Sequence, residues 1–248
     1  MSAIASCAAL AACVVIFYGL VLGRSLDDVR WPTQLVLGRF PGARRYSSGE
    51  VEAVVRLGMG GLLQLLFCAG LIAVLDVGLG QIQPAEIQPE LVALGMALGI
   101  GEAALATFVG YVGMQVGLAV APGRTPTDAD DWLALSRSGW MRLFFQAAEI
   151  APAVAVALSF AYIAVEETVF RGVVITVLRD SSAALALAAS VLLFALTQTF
   201  RMPSWHSAMF PVLGAVVVGV VHGLLFLAVP SILPLIVAHF VFFVVAVA

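Results

Sequence analysis

Apolar residues run through this chain in long stretches, and polar positions are gathered into a few connections between them. A helix that crosses a bilayer needs roughly 20 apolar residues. Seven segments approach or exceed that length: 3–22, 57–79, 91–121, 151–178, 183–200, 210–229 and 232–248. Most are apolar on every side, as a helix must be when one face meets lipid and the other a packed bundle. The stretches at 91–121 and 151–178 are long enough to hold a tilted, broken or interfacial piece, which leaves room for an eighth helix. The pattern predicts an all-α, polytopic integral membrane bundle with about 7–8 transmembrane helices.

Two polar connections carry arginine. Residues 24–52 hold five, and residues 122–139 hold Arg124 and Arg137 beside Asp128, Asp130 and Asp131; residues 81–90 hold none. Short arginine-rich loops stay on the cytoplasmic side, so the first and third connections are expected inside and the N-terminus outside. Arg44-Arg45 reads as part of that topology signal, with a lipid-headgroup or partner site as the alternative. Gly95 with Gly99, and Gly219 with Gly223, put small residues one turn apart and suggest close helix packing. No internal repeat or soluble domain interrupts the chain. It reads as one membrane domain, with helices and polar loops over residues 1–140 and a second part over 141–248 that carries the candidate chemistry.

Composition removes the competing classes. Of 248 residues 62% are hydrophobic and 11% charged, where a soluble domain carries about 25% charge. Twelve basic against fifteen acidic residues give a net charge of -3 and no basic stripe, so a nucleic-acid partner is not expected. Every basic residue is Arg, and the chain has neither Lys nor Asn. Cys7, Cys13 and Cys68 lie in apolar stretches without a CxxC pair and read as small core residues. Residues 4–7 faintly resemble a lipoprotein cleavage box, but no charged region precedes them, and the first segment is expected to remain as an anchor.

Ionisable groups at membrane depth cost about 2.5 to 3.5 kcal/mol each on insertion scales, which makes them functional candidates. One cluster dominates: Glu166-Glu167-Thr168-Val169-Phe170-Arg171-Gly172, set within apolar sequence. On a helix Glu167 and Arg171 are four apart, in the favourable acid-first order, whereas Glu166 points about 100° away. One carboxylate is then paired, and the other is free to take and return a proton, as a base that activates water must. An ion-pair network that only fixes helix packing is an equal alternative. Elsewhere, Glu102 is expected to be a protonated carboxyl bonded to a neighbouring helix. Asp76 and Glu149 should be interfacial, and Arg56 should reach for the headgroups.

This cluster resembles the EExxxR motif, in its EExxFRG form, of the CPBP family: intramembrane proteases related to the type II CAAX prenyl endopeptidase and to bacteriocin-processing and immunity proteins. The likeness extends over roughly the last 100 residues. Phe194-Ala195-Leu196-Thr197-Gln198 falls where the family has FxxxH, and His239-Phe240-Val241-Phe242-Phe243 where it has HxxxN. The resemblance implies that Glu166 is the base that activates water and that His239 polarises the scissile carbonyl or stabilises its oxyanion. Arg171 would orient Glu167 or substrate. Position 198 is Gln rather than His, and position 243 is Phe rather than Asn. Gln hydrogen-bonds water but exchanges no proton at neutral pH, and Phe supplies no oxyanion donor.

A catalytic zinc takes three protein ligands and keeps one open position. The motif positions offer Glu166 or Glu167 and His239, with only His222 and His206 left to complete a set, so zinc is weakly supported and no cofactor is required. His222 is expected to be a packed histidine bonded to a backbone carbonyl, with a cavity-facing position as the alternative. His206, after Arg201, Pro203 and Trp205, is expected in an interfacial connection at the water boundary. The resemblance thus implies an intramembrane endopeptidase acting on a membrane-tethered protein or peptide, within a bacterial-type inner membrane. The alternative is a catalytically impaired protein of the same fold, serving as a scaffold or as an immunity or partner-binding protein. Secondary transport ranks below both, since no paired short segments suggest an inverted repeat.

Overall fold

The computed structural model describes residues 3–84, 86, 88–120, 137, 139–200 and 202–247. Most of the connection at 122–139, with its Asp128, Asp130 and Asp131, lies outside the described residues, as does Arg201. Among the described residues the chain is helical throughout, with no strand. We number the helices α1 (Ile4–Asp27), α2 (Arg30–Arg39), α3 (Ser48–Val74), α4 (Leu79–Ile82), α5 (Pro89–Val120), α6 (Trp140–Ile150), α7 (Pro152–Leu178), α8 (Ala183–Thr197), α9 (Trp205–Ala228) and α10 (Leu233–Val247).

Five of these, α1, α3, α5, α7 and α9, are long and apolar enough to cross a bilayer. The other two expected spans are shorter than their apolar sequence suggests. Helices α8 and α10 have 15 residues each, about 22 Å at 1.5 Å per residue against a hydrocarbon core of about 30 Å. Five long helices with two shorter apolar ones make a polytopic helical membrane bundle, as expected. The additional helix is α6, which ends where Ala151 leaves the helical region and Pro152 starts α7. It is amphipathic, burying Phe144 and Ala147 and exposing Arg142 and Glu149. Two further boundaries differ from the apolar pattern. A capping box, in which Ser47 Oγ accepts from Glu50 N–H at 3.3 Å and Glu50 accepts from Ser47 N–H at 2.7 Å, starts α3 well before its apolar run. Ser204 caps α9 with its Oγ alone, which accepts from Ser207 N–H at 3.1 Å, so His206 belongs to the first turn of a helix, its ring centre 3.7 Å from that of Trp205, and not to a connection. Cys68 is buried, but Cys13 faces outward and is no core residue.

Helix α7 is the centre of the bundle. From Thr168 to Ile175 its backbone opens into wide i→i+5 turns, and seven of those eight residues are buried. Side chains of α1, α8 and α9 enclose it: Tyr18, Phe194, Ala215 and Val218 share one core with Phe170, Val173 and Ile175. Glycines set the spacing of the outer helices. Added side chains at Gly95 and Gly99 would collide with the carbonyl oxygens of Pro234 and Ala238, so α5 lies backbone to backbone against α10. Gly219 and Gly223 similarly admit Val191 and Leu187 of α8 against α9. The start of α10 is anchored from far along the chain. Gln83 Oε1 accepts the Leu233 N–H at 3.0 Å and the Ser231 hydroxyl at 2.9 Å, and the Ile82 carbonyl accepts the Ile232 N–H at 3.2 Å. This replaces the end-of-helix partners that water would otherwise supply. Ile82 itself presses on Gly172, in the middle of α7.

Candidate active site

The expected pair on α7 is present. Arg171 Nε lies 3.4 Å from Glu167 Oε2, and neither side chain has any exposure. The guanidinium rests flat on α8, its Cζ 4.4 Å from the centre of the Phe194 ring, which offers a cation a negative face where water cannot reach. Glu166, one residue earlier, is half-buried and has no hydrogen bond among the described residues. The buried Tyr18 of α1 is its electrostatic neighbour. The adjacent acids therefore have different surroundings, as a helical turn of about 100° per residue requires.

His239 comes in from α10. Its Nδ1 is 2.7 Å from Glu167 Oε1, so the imidazole of the last helix faces the acids of α7 and is nearly enclosed, at 9% exposure. An ionised carboxylate only accepts, so Nδ1 carries the hydrogen of this bond and Nε2 is left for other partners. The neighbouring backbone holds the ring in place: Ala238 is the residue whose carbonyl abuts Gly99, and Phe194 meets the imidazole edge to face at 5.8 Å.

Two further residues complete the cluster. His222 of α9, fully buried, lies with Nδ1 3.0 Å from Glu167 Oε2 and Nε2 3.1 Å from Glu102 Oε2. The contact to Glu102 has hydrogen-bond geometry, whereas that to Glu167 is a charge contact off the hydrogen-bond line. The partners of His222 are thus carboxylates rather than the expected backbone carbonyl. Burial explains the difference: Glu102, at 3% exposure on α5, needs a donor at bilayer depth, and the ring of His222 is the donor that the packing supplies. Glu102 is bonded to a neighbouring helix, as expected.

The two other candidate positions have partners of their own. Gln198 ends α8, half-buried, with its amide nitrogen 3.5 Å from Thr197 Oγ1. Phe243 is buried in a different apolar cluster with Leu57, Phe144 and Ile163, meeting the Phe144 ring edge to face at 4.9 Å. A side chain at 243 is thus a packing element here. No group of three or more His, Cys, Asp or Glu among the described residues is arranged to hold a metal ion. Carboxylate oxygens already face both nitrogens of His222 and Nδ1 of His239, whereas a metal ligand needs a free lone pair directed at the ion.

Residues 148–245 match a family model described as type II CAAX prenyl endopeptidase Rce1-like. Over those residues the chain is similar to that family. The match starts in the last turn of α6 and ends within α10, so it contains Glu166, Glu167, Arg171, Gln198, His222 and His239. The likeness is to endopeptidases by that description, and it is confined to the C-terminal part of the chain. Glu102 lies outside the matched residues and joins the Rce1-like segment only through His222. No curated protein and no solved structure matches the chain.

Sequence reasoning singled out the acids, Arg171 and His239, but not the meeting of Glu102 with His222. The two are 120 positions apart, and no local pattern links them. The available signal was general: an ionisable group in mid-span has a partner somewhere.

Proposed function

We propose that this protein is an endopeptidase that hydrolyses a peptide bond of a membrane-associated substrate, using the site on α7 and α10. The observation that carries the reading is the 2.7 Å contact between His239 Nδ1 and Glu167 Oε1, which directs the last helix's imidazole at buried acids instead of lipid. Glu166, the carboxyl with no hydrogen-bonded partner, takes a proton from water while the resulting hydroxide adds to the carbonyl carbon. Oriented by Arg171, Glu167 holds His239 by Nδ1. His239, neutral at rest, takes a second proton at Nε2 from solvent as the substrate carbonyl arrives; this Nε2–H stabilises the oxyanion of the tetrahedral intermediate, and the proton returns to solvent when the intermediate collapses. The proton held by Glu166 then leaves with the amine as the C–N bond breaks. The bilayer is a bacterial-type inner membrane in this reading, residues 141–248 carry the chemistry, and Gln198 hydrogen-bonds water or substrate near the end of α8.

The test is cleavage of synthetic peptides with a prenylated CAAX tail, and of their unprenylated counterparts, by the full chain in liposomes. Glu166→Gln should lower kcat by about 10²- to 10⁴-fold, the usual range for a lost general base. His239→Gln should cost about 10²- to 10³-fold, as for a lost oxyanion donor. Turnover preserved in both variants overturns the proposal. One observation favours a second reading, a noncatalytic member of the fold that binds partners: Phe243 packs where the family has its amide donor. Absence of turnover in the wild-type protein, with substrate still bound, would support it.

A further inference from the structure

The chemistry above makes no use of Glu102 and His222. We propose that these two residues form a buried positioning pair, which fixes Glu167 and, through it, the tautomer and aim of His239; the inference rests on the endopeptidase reading for its purpose.

Glu167 has two oxygens with different duties. Oε1 holds His239, while Oε2 faces two nitrogens, Arg171 Nε at 3.4 Å and His222 Nδ1 at 3.0 Å. The carboxylate plane can keep Oε1 on His239 only while Oε2 is held, because rotation about its last bond exchanges the two oxygens. An imidazole gripped at one nitrogen is also free to turn over. His222 is gripped at both, since Glu102 Oε2 accepts from Nε2 at 3.1 Å. Glu102 therefore determines which nitrogen of His222 faces Glu167.

The placement of the polar groups supports the same assignment: His222 lies between the carboxyl groups of Glu102 and Glu167, and Arg171 is the other nitrogen partner of Glu167 Oε2. The bond to Glu167 uses the Nδ1–H of His239 and leaves its Nε2 lone pair available. The backbone keeps the pair close to His239: Gly99, one turn before Glu102 on α5, brings that helix into contact with Ala238, the neighbour of His239. Packing alone would not need a carboxyl group there, because a glutamine at 102 would keep a hydrogen bond to His222.

The chain has three histidines, so isotope-labelled ring nitrogens of the full protein in nanodiscs give three resolvable sets of resonances, and His206→Gln identifies the one outside the cluster. In the wild-type protein His239 should show a protonated Nδ1 and a bare Nε2. Both Glu102→Gln and His222→Gln should turn this into a mixture of tautomers, while kcat for the prenylated CAAX peptide falls about 10- to 100-fold, the scale of a misoriented group, with KM within about twofold. If either variant fails to fold, the other carries the test. His239 resonances that do not change in the folded variants overturn the proposal, as does a rise in KM with kcat unchanged. A mixture of tautomers in the variants, with no turnover even in the wild-type protein, supports the positioning pair and overturns the endopeptidase reading.

Discussion

Two acid–arginine pairs in this protein have identical spacing and very different surroundings. Glu52 and Arg56 pair across one turn near the start of α3, where both side chains keep part of their exposure. Glu167 and Arg171 pair across one turn in the middle of α7, where neither has any. Near the interface the ion pair exchanges one set of favourable contacts for another, because water solvates both charges when they separate. Inside the bundle no such alternative exists, and each charge depends on its partner for being there at all. The same spacing is therefore a minor local stabiliser in one helix and a condition of folding in the other. The inner pair also differs in being shared: Glu167 serves His222 and His239 as well as Arg171.

The largest expected effect of breaking this comparison is at the inner pair. Arg171→Met leaves Glu167 charged and without its guanidinium, and should destabilise the folded protein by about 3–5 kcal/mol, seen as a lower midpoint in thermal unfolding in detergent. Replacing Glu167 and Arg171 together by Gln and Met should recover most of that loss while leaving the protein inactive. Equal instability of the single and double variants would show that the charges are not what the site depends on. A smaller effect is expected where the inner site is held from outside. Gly99→Val drives a side chain into the Ala238 carbonyl and should cost about 1–3 kcal/mol by overpacking, with a loss of turnover larger than the loss of stability because His239 moves with Ala238. The smallest effect is at the outer pair. Arg56→Gln should change stability by roughly 0.3–0.5 kcal/mol, and less as salt is raised.

The legible part of the site is the part that breaks a local rule. Glu166, Glu167 and Arg171 stand out because charges are rare in apolar sequence, and their spacing fixes who can meet whom on one helix. The family resemblance pointed in addition to His239 on the last apolar run. Glycine pairs at 95 and 99 and at 219 and 223 announced close packing, and the structure fits a neighbouring helix against each. What could not be read depends on contacts between distant elements. Gln83 anchors a helix about 150 positions later, and its own surroundings, a polar connection with Pro84 close by, carry no sign of that duty. Glu102 meets His222 only once α5 has packed against α9, 120 positions along the chain.

The seam between α5 and α10 sets a limit on how this protein can be redesigned. Where two main chains touch through glycine hydrogens, rolling or sliding either helix needs the other to yield, so the compass bearing of the His239 ring is fixed by atoms that no side-chain library can vary. Altered specificity should be sought around Glu166 and the open end of α8, leaving positions 95 and 99 as they are.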